Sequence, residues 1–370
     1  MKVFLQASEL TKRVGDKTLF HGINIGIGEG QRVGLIAQNG TGKTTLLNIL
    51  AGVDEPDEGE VILRSGIKIG YLSQTPKFPA EMTVMDACFW HACQDRNDTE
   101  EALDLEVRSK QILGKLKIGD TSRKMNVLSG GQAKRVALAC MMLQNADFLI
   151  MDEPTNHLDI DIIEYLEGYL QRSRCTLLMV THDRYFLDRV CNTIMEIDRG
   201  GLYSYRGNYT EYLEKREERY TNMQAEIDKS RNLMRRELEW IRSTPQARTG
   251  KARYRVNAFY DLKDRASVSL QTGTVEIDVA TSRLGRKIID CTDVNLSFEG
   301  RKMLDNFSYK FTRGERIGIV GRNGVGKTTF LNLISGKISP DSGIIEKGET
   351  LRIGYYSQRG INFKPGQTVL

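Results

Sequence analysis

The chain has 370 residues, 40% of them hydrophobic and 27% charged, with 7 prolines. That is the make-up of a folded protein with room for two domains, and it excludes disordered and collagen-like classes. Mean hydropathy is -0.39 and no run of 18 apolar residues occurs, so no membrane span is expected. The N-terminal MKVFLQASELTKRVGDK lacks the apolar stretch of a secretory leader. Cys88, Cys93, Cys140, Cys175, Cys191 and Cys291 show no metal-ligand spacing and read as plain thiols in a reducing, cytoplasmic setting. Net charge is +5, which alone says little about a partner. Its distribution says more: residues 229–255 hold nine Lys or Arg against two Glu, a candidate surface for a polyanion.

In chain order, a β-type run opens at residues 3–5 and reaches a turn at Gly15-Asp16. The apolar strand Arg32–Ala37 feeds a glycine-rich loop, and a helix carrying Leu46, Leu47, Ile49 and Leu50 follows. Strand, tight loop and helix form the unit that phosphate binding needs. Ile69–Leu72 is a short strand just before Gln74. Residues 148–151 read as a buried central strand ending in Asp152 and Glu153, and Thr176–Val180 as another, followed by His182. From Tyr209 a heptad seam runs through 209, 213, 216, 220, 223, 227, 230 and 234, and Leu238 and Ile241 continue it. Pro245 is expected to end this helix. A second helix over 252–265 would make an antiparallel hairpin; the alternative is one solvated linker helix. Finally, GLIAQNGTGKTTLLNILAG at 34–52 recurs as GIVGRNGVGKTTFLNLISG at 318–336, an offset of 284 residues that still holds from IGYLSQ to IGYYSQ at 353–358. The same domain therefore occurs twice, with a turn at Glu299-Gly300 and an expected strand over 316–320 in the second copy.

The loop chemistry is specific. Gly40 and Gly42, within Asn39, Thr41 and Thr45, let the backbone curl around a β-phosphate; Lys43 reaches the β- and γ-phosphates, and the Thr44 hydroxyl suits Mg²⁺. Gly321, Asn323, Gly324, Val325, Gly326, Lys327, Thr328 and Thr329 repeat the pattern, with Thr328 and Gln358 on the metal side. Ala37 stands where Gly321 opens the second loop, which is tolerable if its φ is negative. Asp152 is placed to hold the Mg²⁺ shell and Glu153 to polarise an attacking water. Two neighbouring acids can also be a solvated turn, but these follow an apolar strand and precede Pro154. A lone histidine is usually structural, yet His182 ends a strand at the same expected sheet edge and can bond a γ-phosphate. Gln74 can sense the metal or the water.

Residues 128–132 read LSGGQ, which resembles the signature motif of ATP-binding-cassette ATPases. With Ala37 to Thr44, Gln74, Asp152, Glu153, Asp159 and His182, six motifs stand in that family's order, over essentially the whole chain. The resemblance implies an α/β P-loop NTPase fold with tandem cassettes, ATP and Mg²⁺ as cofactors, and ATP hydrolysis. It also implies a head-to-tail sandwich in which Ser129, Gly130, Gly131 and Gln132 meet the nucleotide at Lys327 and Asp159 lies at the opposing contact. Adenine would stack on Phe298 in the second copy; the matching first-copy residue is Val14, with Phe20 the alternative.

Two cassettes, a charged helical linker, MDEPTNHLD at 151–159 and THDRYFLD at 181–188 look like the ABC-F group. That group is cytosolic and acts on ribosomes, meeting rRNA and tRNA near the exit site. RRELEWIR at 235–242 is similar to the Uup branch, which is also tied to nucleic-acid structures in DNA metabolism. Only 53 residues separate Gln74 from Leu128, so a long inserted arm is absent or reduced. The expected division is a first cassette over 1–207, a charged linker over 208–283 and the first part of a second cassette over 284–370. That second copy carries no signature, acidic pair or switch histidine, so the chain reads as incomplete. Alone it is expected to hydrolyse ATP weakly and to self-associate head to tail. A ribosome-acting ATPase is the leading reading. A branched-DNA ATPase shares the basic linker, and the ATPase subunit of a membrane transporter would need a groove for a membrane partner instead.

Overall fold

Continuous apolar runs build the centre of the first unit. In the computed structural model, which describes residues 2–92, 99–242, 287–298, 300–322 and 324–356, the chain divides into the units Met1–Thr272 and Gly273–Leu370. In the first, β1 (Val3–Val14), β2 (Lys17–Gly28) and β4 (Glu58–Leu63) form an antiparallel sheet in the order β2-β1-β4. A six-stranded sheet combines β3 (Arg32–Ala37), β5 (Ile69–Leu72), β6 (Phe148–Asp152), β7 (Thr176–Val180), β8 (Thr193–Asp198) and β9 (Gly201–Arg206) in the order β5-β6-β7-β3-β8-β9. The first five in that order run parallel, and β9 closes the edge antiparallel to β8.

Every residue of β6 and β7 is buried, as expected of parallel strands covered on both faces. Alternation sorts their side chains. Phe148 and Ile150 join α1 (Lys43–Leu50) and the antiparallel sheet in one core. Leu149 and Met151 join a second core built from α2 (Val84–Ala92), α3 (Thr99–Lys115), α4 (Gly130–Leu143), α5 (Ile160–Arg172) and α6 (Arg184–Val190). Phe20 is 1% exposed inside the first core. It is therefore packing, and the expectation that it stacks adenine is wrong. Free Cys88, Cys140 and Cys191 are buried among these apolar side chains; Cys93 lies outside the described residues.

Helix α7 (Tyr209–Arg242) covers the expected seam. Tyr209, Arg216, Tyr220, Met223, Ile227, Ser230 and Met234 are buried or half-buried, but Leu213 is exposed and Tyr212 takes its place. The cause is an anchor at the helix root. The Tyr212 hydroxyl donates to Glu196 Oε1 at 2.9 Å, and its ring packs edge-on against Tyr205. Arg216 Nε lies 2.8 Å from Glu196 Oε1. Arg219 Nη2 reaches Glu196 Oε2 at 2.8 Å and Asp198 Oδ2 at 3.0 Å, with its guanidinium 3.7 Å above the Tyr203 ring. Pro245 and the expected helix over 252–265 lie outside the described residues. No helix among the described residues is long and apolar enough to cross a membrane.

In the second unit, β10 (Ile289–Phe298), β11 (Arg301–Phe311) and β12 (Ser342–Lys347) form a sheet in the order β11-β10-β12, with α8 (Lys327–Ser335) beside it. The repeat extends to the backbone: left-handed φ values at Glu9, Gly22, Gly30, Gly40, Gly42, Gly52 and Gly59 recur at Asp293, Asn306, Gly314, Gly324, Gly326, Gly336 and Gly343, each 284 residues on. One expectation fails. Residues 316–320 form no strand. The matching β3 is hydrogen-bonded between β7 and β8, whose equivalents at the same offset would fall past residue 370.

The anchor of α7 predicts a stability effect. Replacing Glu196, 4% exposed, with Ala leaves the two arginines without their shared carboxylate. Arg219 keeps Asp198 and Arg216 is partly exposed, so the expected loss is about 1–3 kcal/mol, read as a lower urea midpoint for the first unit.

Candidate nucleotide-binding site

The site begins where β3 ends. Gly40 and Gly42 take φ values of +77° and +87°, the left-handed region that glycine adopts without steric cost. A Cβ on Gly42 would also fall 2.9 Å from Leu19. The turn they make launches α1, whose N-terminus has no side-chain cap and no acid in its first turn. Uncapped helix N–H groups point toward the loop and favour an anion. Lys43 folds back over the loop, with Nζ donating to Ala37 O at 2.9 Å, Gln38 O at 3.2 Å and Asn39 Oδ1 at 3.2 Å. Ala37 is not among the residues with positive φ, so its Cβ fits where glycine stands in the second copy.

A cleft of about 370 Å³ opens at this loop. It is lined by Asn39, Gly40, Gly42, Lys43, Thr44, Thr45, Gln74, Asp152, Glu153, Asn156, Val180 and His182. The ladders explain the convergence: Asp152 pairs with Val180, Leu35 with Val180, and Leu72 with Met151, so four strands end level at one sheet edge. Thr41 donates its hydroxyl to Gln38 O at 2.8 Å and shapes the loop from outside the lining. Asn156 and Val180 line the cleft without having been singled out from the sequence. Asn156 follows Asp152 by four residues, within the acidic motif at 151–159.

Asp152 is 1% exposed and Glu153 5%. Asp152 Oδ2 and Glu153 Oε1 are buried without a hydrogen-bond donor, and His182 Nε2 lies 3.4 Å from that Oε1. The His182 N–H donates to Glu153 Oε2 at 3.3 Å. Buried oxygens without donors, beside the Thr44 hydroxyl and Gln74, are the ligands a hard divalent cation takes, so these residues fit Mg²⁺. Among the described residues, no cluster of His, Cys, Asp and Glu forms a separate metal site. Burial pushes the Glu153 carboxyl above the usual carboxylate range; His182 opposes this and Asp152 adds to it. Burial likewise lowers Lys43, against the pull of Glu153 and Asp152.

The signature residues lie elsewhere on the unit. Ser129 caps α4 in a reciprocal box, its Oγ accepting from Gln132 N at 3.3 Å while its own N–H donates to Gln132 Oε1 at 3.0 Å. Ser129 and Gly130 are exposed, Gly131 and Gln132 half-buried, and none lines the Lys43 cleft. Asp159 is the N-cap residue of α5, with Lys117 Nζ 3.8 Å away. In the second copy Lys327 Nζ donates to Gly321 O at 2.5 Å and Arg322 O at 2.8 Å, repeating the geometry of Lys43. Gly326 is the left-handed N-cap of α8, with Thr328 and Thr329 in its first turn. Phe298 and Val14 are 56% and 58% exposed. Asn323, Gln358 and the basic residues beyond Arg242 lie outside the described residues. Sequence reasoning missed Lys134, a 2% exposed lysine behind the cleft.

Four strand ends that bring Gln74, Asp152, Glu153 and His182 to a glycine-bounded, uncapped helix start define a P-loop nucleotide-binding protein of cassette type. Family models described as ABC transporter match residues 20–156 and 304–370, and residues 195–277. The chain belongs to the tandem-cassette ABC ATPases of the ABC-F type. It is 41% identical to "Uncharacterized ABC transporter ATP-binding protein YfmR" of Bacillus subtilis, over 96% of this chain and 61% of that protein. "Energy-dependent translational throttle protein EttA" is 32% identical in Mycobacterium tuberculosis, over 98% of this chain and 70% of the relative. The Escherichia coli protein of that name is 33% identical, over 91% and 66%. The chain thus spans about three fifths of the length of the B. subtilis relative. One solved structure, "Structure of ATP binding subunit of ABC transporter", superposes with a TM-score of 0.50 at 21% identity, covering 55% of this chain and 90% of that one; this is a likeness of fold.

The Glu153 carboxyl gives a pH prediction. Because its folded pKa is raised, the folded state holds this proton more tightly than the unfolded chain. Its favourable contribution is therefore complete below the ordinary glutamate value and is lost as pH rises through the folded value. Glu153→Gln removes a buried charge at neutral pH, so it should raise Tm there. The gain should shrink toward zero below about pH 4.5, as followed by thermal melting across pH.

Proposed function

We propose that this protein hydrolyses ATP with Mg²⁺ in the cytoplasm and uses the resulting conformational change to act on ribosomes. The observation that carries the hydrolytic part is the single cleft shared by Lys43, Thr44, Gln74, Asp152, Glu153 and His182. Asn39, Gly40, Thr41, Gly42, Lys43 and Thr45, with the free N–H groups of α1, bind and orient the phosphates. Thr44, Gln74 and Asp152 would hold Mg²⁺, which supplies charge neutralisation at the phosphates. Glu153 accepts the proton of the attacking water, and its raised pKa brings it nearer the working range of a general base. His182 steadies the Glu153 carboxylate and faces the γ-phosphate position. In the second copy Gly321 to Thr329 hold a second nucleotide in the same manner, with Phe298 against its base.

Support for the ribosome comes from the relatives named as translational throttle proteins and from the basic stretch at 229–255, of which Lys229, Arg235 and Arg236 stand exposed on α7. Partners would be rRNA and tRNA. The linker text at 235–242 supports a placing near the Uup-like branch, and with it a second reading in which the same basic face takes branched DNA. A transporter subunit is disfavoured, because a charged helix anchored to the sheet edge is not a groove for a membrane partner.

Two experiments test this. Glu153→Gln should slow single-turnover hydrolysis by about 10²–10⁴-fold while ATP still binds; an unchanged rate refutes the base assignment. Replacing Lys229, Arg235 and Arg236 with Gln should weaken co-sedimentation with ribosomes and flatten its salt dependence by roughly 0.7–0.9 per lost contact. Stronger binding to DNA junctions than to ribosomes, with the same salt response, would instead select the DNA reading.

A further inference from the structure

Helix α4 is buried on nearly every side, and one charged side chain goes in with it. Lys134 is 2% exposed. Its Nζ donates to three main-chain carbonyls: Glu153 O at 2.6 Å, Asp152 O at 3.4 Å and Gln74 O at 3.4 Å. A buried ammonium must be compensated, and three carbonyls match its three donors. All three belong to residues whose side chains line the nucleotide cleft.

Glu153 is the one of the three that needs holding. Its φ is +51°, a region that side-chain-bearing residues seldom occupy and that persists when the surroundings fix it. Here the main chain is gripped on both sides: the Glu153 N–H donates to Val180 O at 2.8 Å, and its carbonyl accepts from Lys134. With both held, the carboxylate stays against His182 inside the cleft.

We propose that Lys134 is the positioning residue for Glu153. Its ammonium ties the start of α4 to the carbonyls behind the cleft and keeps the Glu153 main chain in the left-handed conformation that aims its carboxylate at the reacting water. Lys134 is not among the residues lining the cleft and acts through Glu153, so its effect on rate rests on the hydrolytic reading; its effect on the geometry of Glu153 does not.

The test uses the full chain with Lys134→Met, Lys134→Gln, Glu153→Gln, Glu153→Ala and the double variant Lys134→Met/Glu153→Gln. Lys134→Met should lower kcat by about tenfold or more with ATP affinity within about twofold, the split expected when a group acts in the transition state alone. Lys134→Gln, whose amide still donates to one carbonyl, should recover part of that rate. Added to Glu153→Gln, the Met substitution should change the rate by less than about twofold, because residues acting as one unit are not additive. The second readout is the amide resonance of His182, whose N–H donates to Glu153. In Lys134→Met it should move upfield toward its position in Glu153→Ala; a lysine that merely packs leaves it in place. If the Met variant fails to fold, the Gln variant carries the same comparison. A His182 amide unmoved in the folded variants overturns the proposal, as does a fully additive loss in the double variant. Absence of hydrolysis in the unsubstituted chain would sink the hydrolytic reading, and the amide shift would still decide the role of Lys134.

Discussion

The placement of β3 between β7 and β8 is the constraint from which the site follows. The parallel ladders put Leu35 opposite Val180 and Ala37 opposite Ile197, and β6 continues the register with Asp152 opposite Val180. A shift of one residue in any of these ladders would turn side chains to the other face and separate the strand ends. The glycine-rich loop after β3, the two acids and His182 are therefore level because backbone hydrogen bonds hold them level. The apolar filling on both faces of the sheet makes that register the one the strands adopt.

This explains what the sequence showed and what it hid. Parallel strands buried on both sides are unbroken apolar runs, so β3, β6 and β7 were readable within a residue or so at each end. Gln74, Asp152, Glu153 and His182 stood at the ends of such runs, and their convergence on Lys43 follows from the topology. The run at 316–320 has the same composition as β3 but forms no strand, because strand pairing depends on partners distant in the chain. The heptad pattern gave the extent of α7 but misplaced its first contact, since Tyr212 is drawn in by a hydrogen bond to Glu196 that apolar spacing cannot report. Phe20 illustrates the same limit in reverse: an aromatic near a nucleotide loop reads as a stacking surface until packing shows it wholly enclosed. Lys134 was missed because a lysine near a helix start reads as solvated. The available signal was the run from Val136 to Leu143 beside it, too apolar for a helix with a wet face.

The two copies also show which backbone positions the cassette depends on. Left-handed φ values recur at seven matched pairs, five of them glycine in both copies. At Gly59 and Gly343 a Cβ would sit 2.4 Å from Ser8 O and 2.3 Å from Asp293 O, so close approach of neighbouring strands adds to the demand of the dihedral. Glu9 and Asp293 are the pair that manage without glycine. Both lie where β1 and β10 leave regular register, and bulges of this kind re-aim a strand. The sheet that covers α1 thus has a bend built into the same point in each copy.

The Glu196 anchor has a mechanical consequence. Glu196 lies on β8 directly opposite Ile36 of β3, one residue before Ala37, whose carbonyl receives Lys43. Helix α7 is bound at that strand by Arg216 and Arg219 and then runs on to Arg242, a rod that reaches about 35 Å past Arg219 at the usual rise per residue. A rod clamped at one end magnifies rotation of its mount. A tilt of about 5° in the strand pair beside the phosphate loop would carry the far end of such a rod by about 3 Å. The first unit therefore contains a lever whose fulcrum is a buried carboxylate and whose short arm is the strand that ends in the phosphate loop.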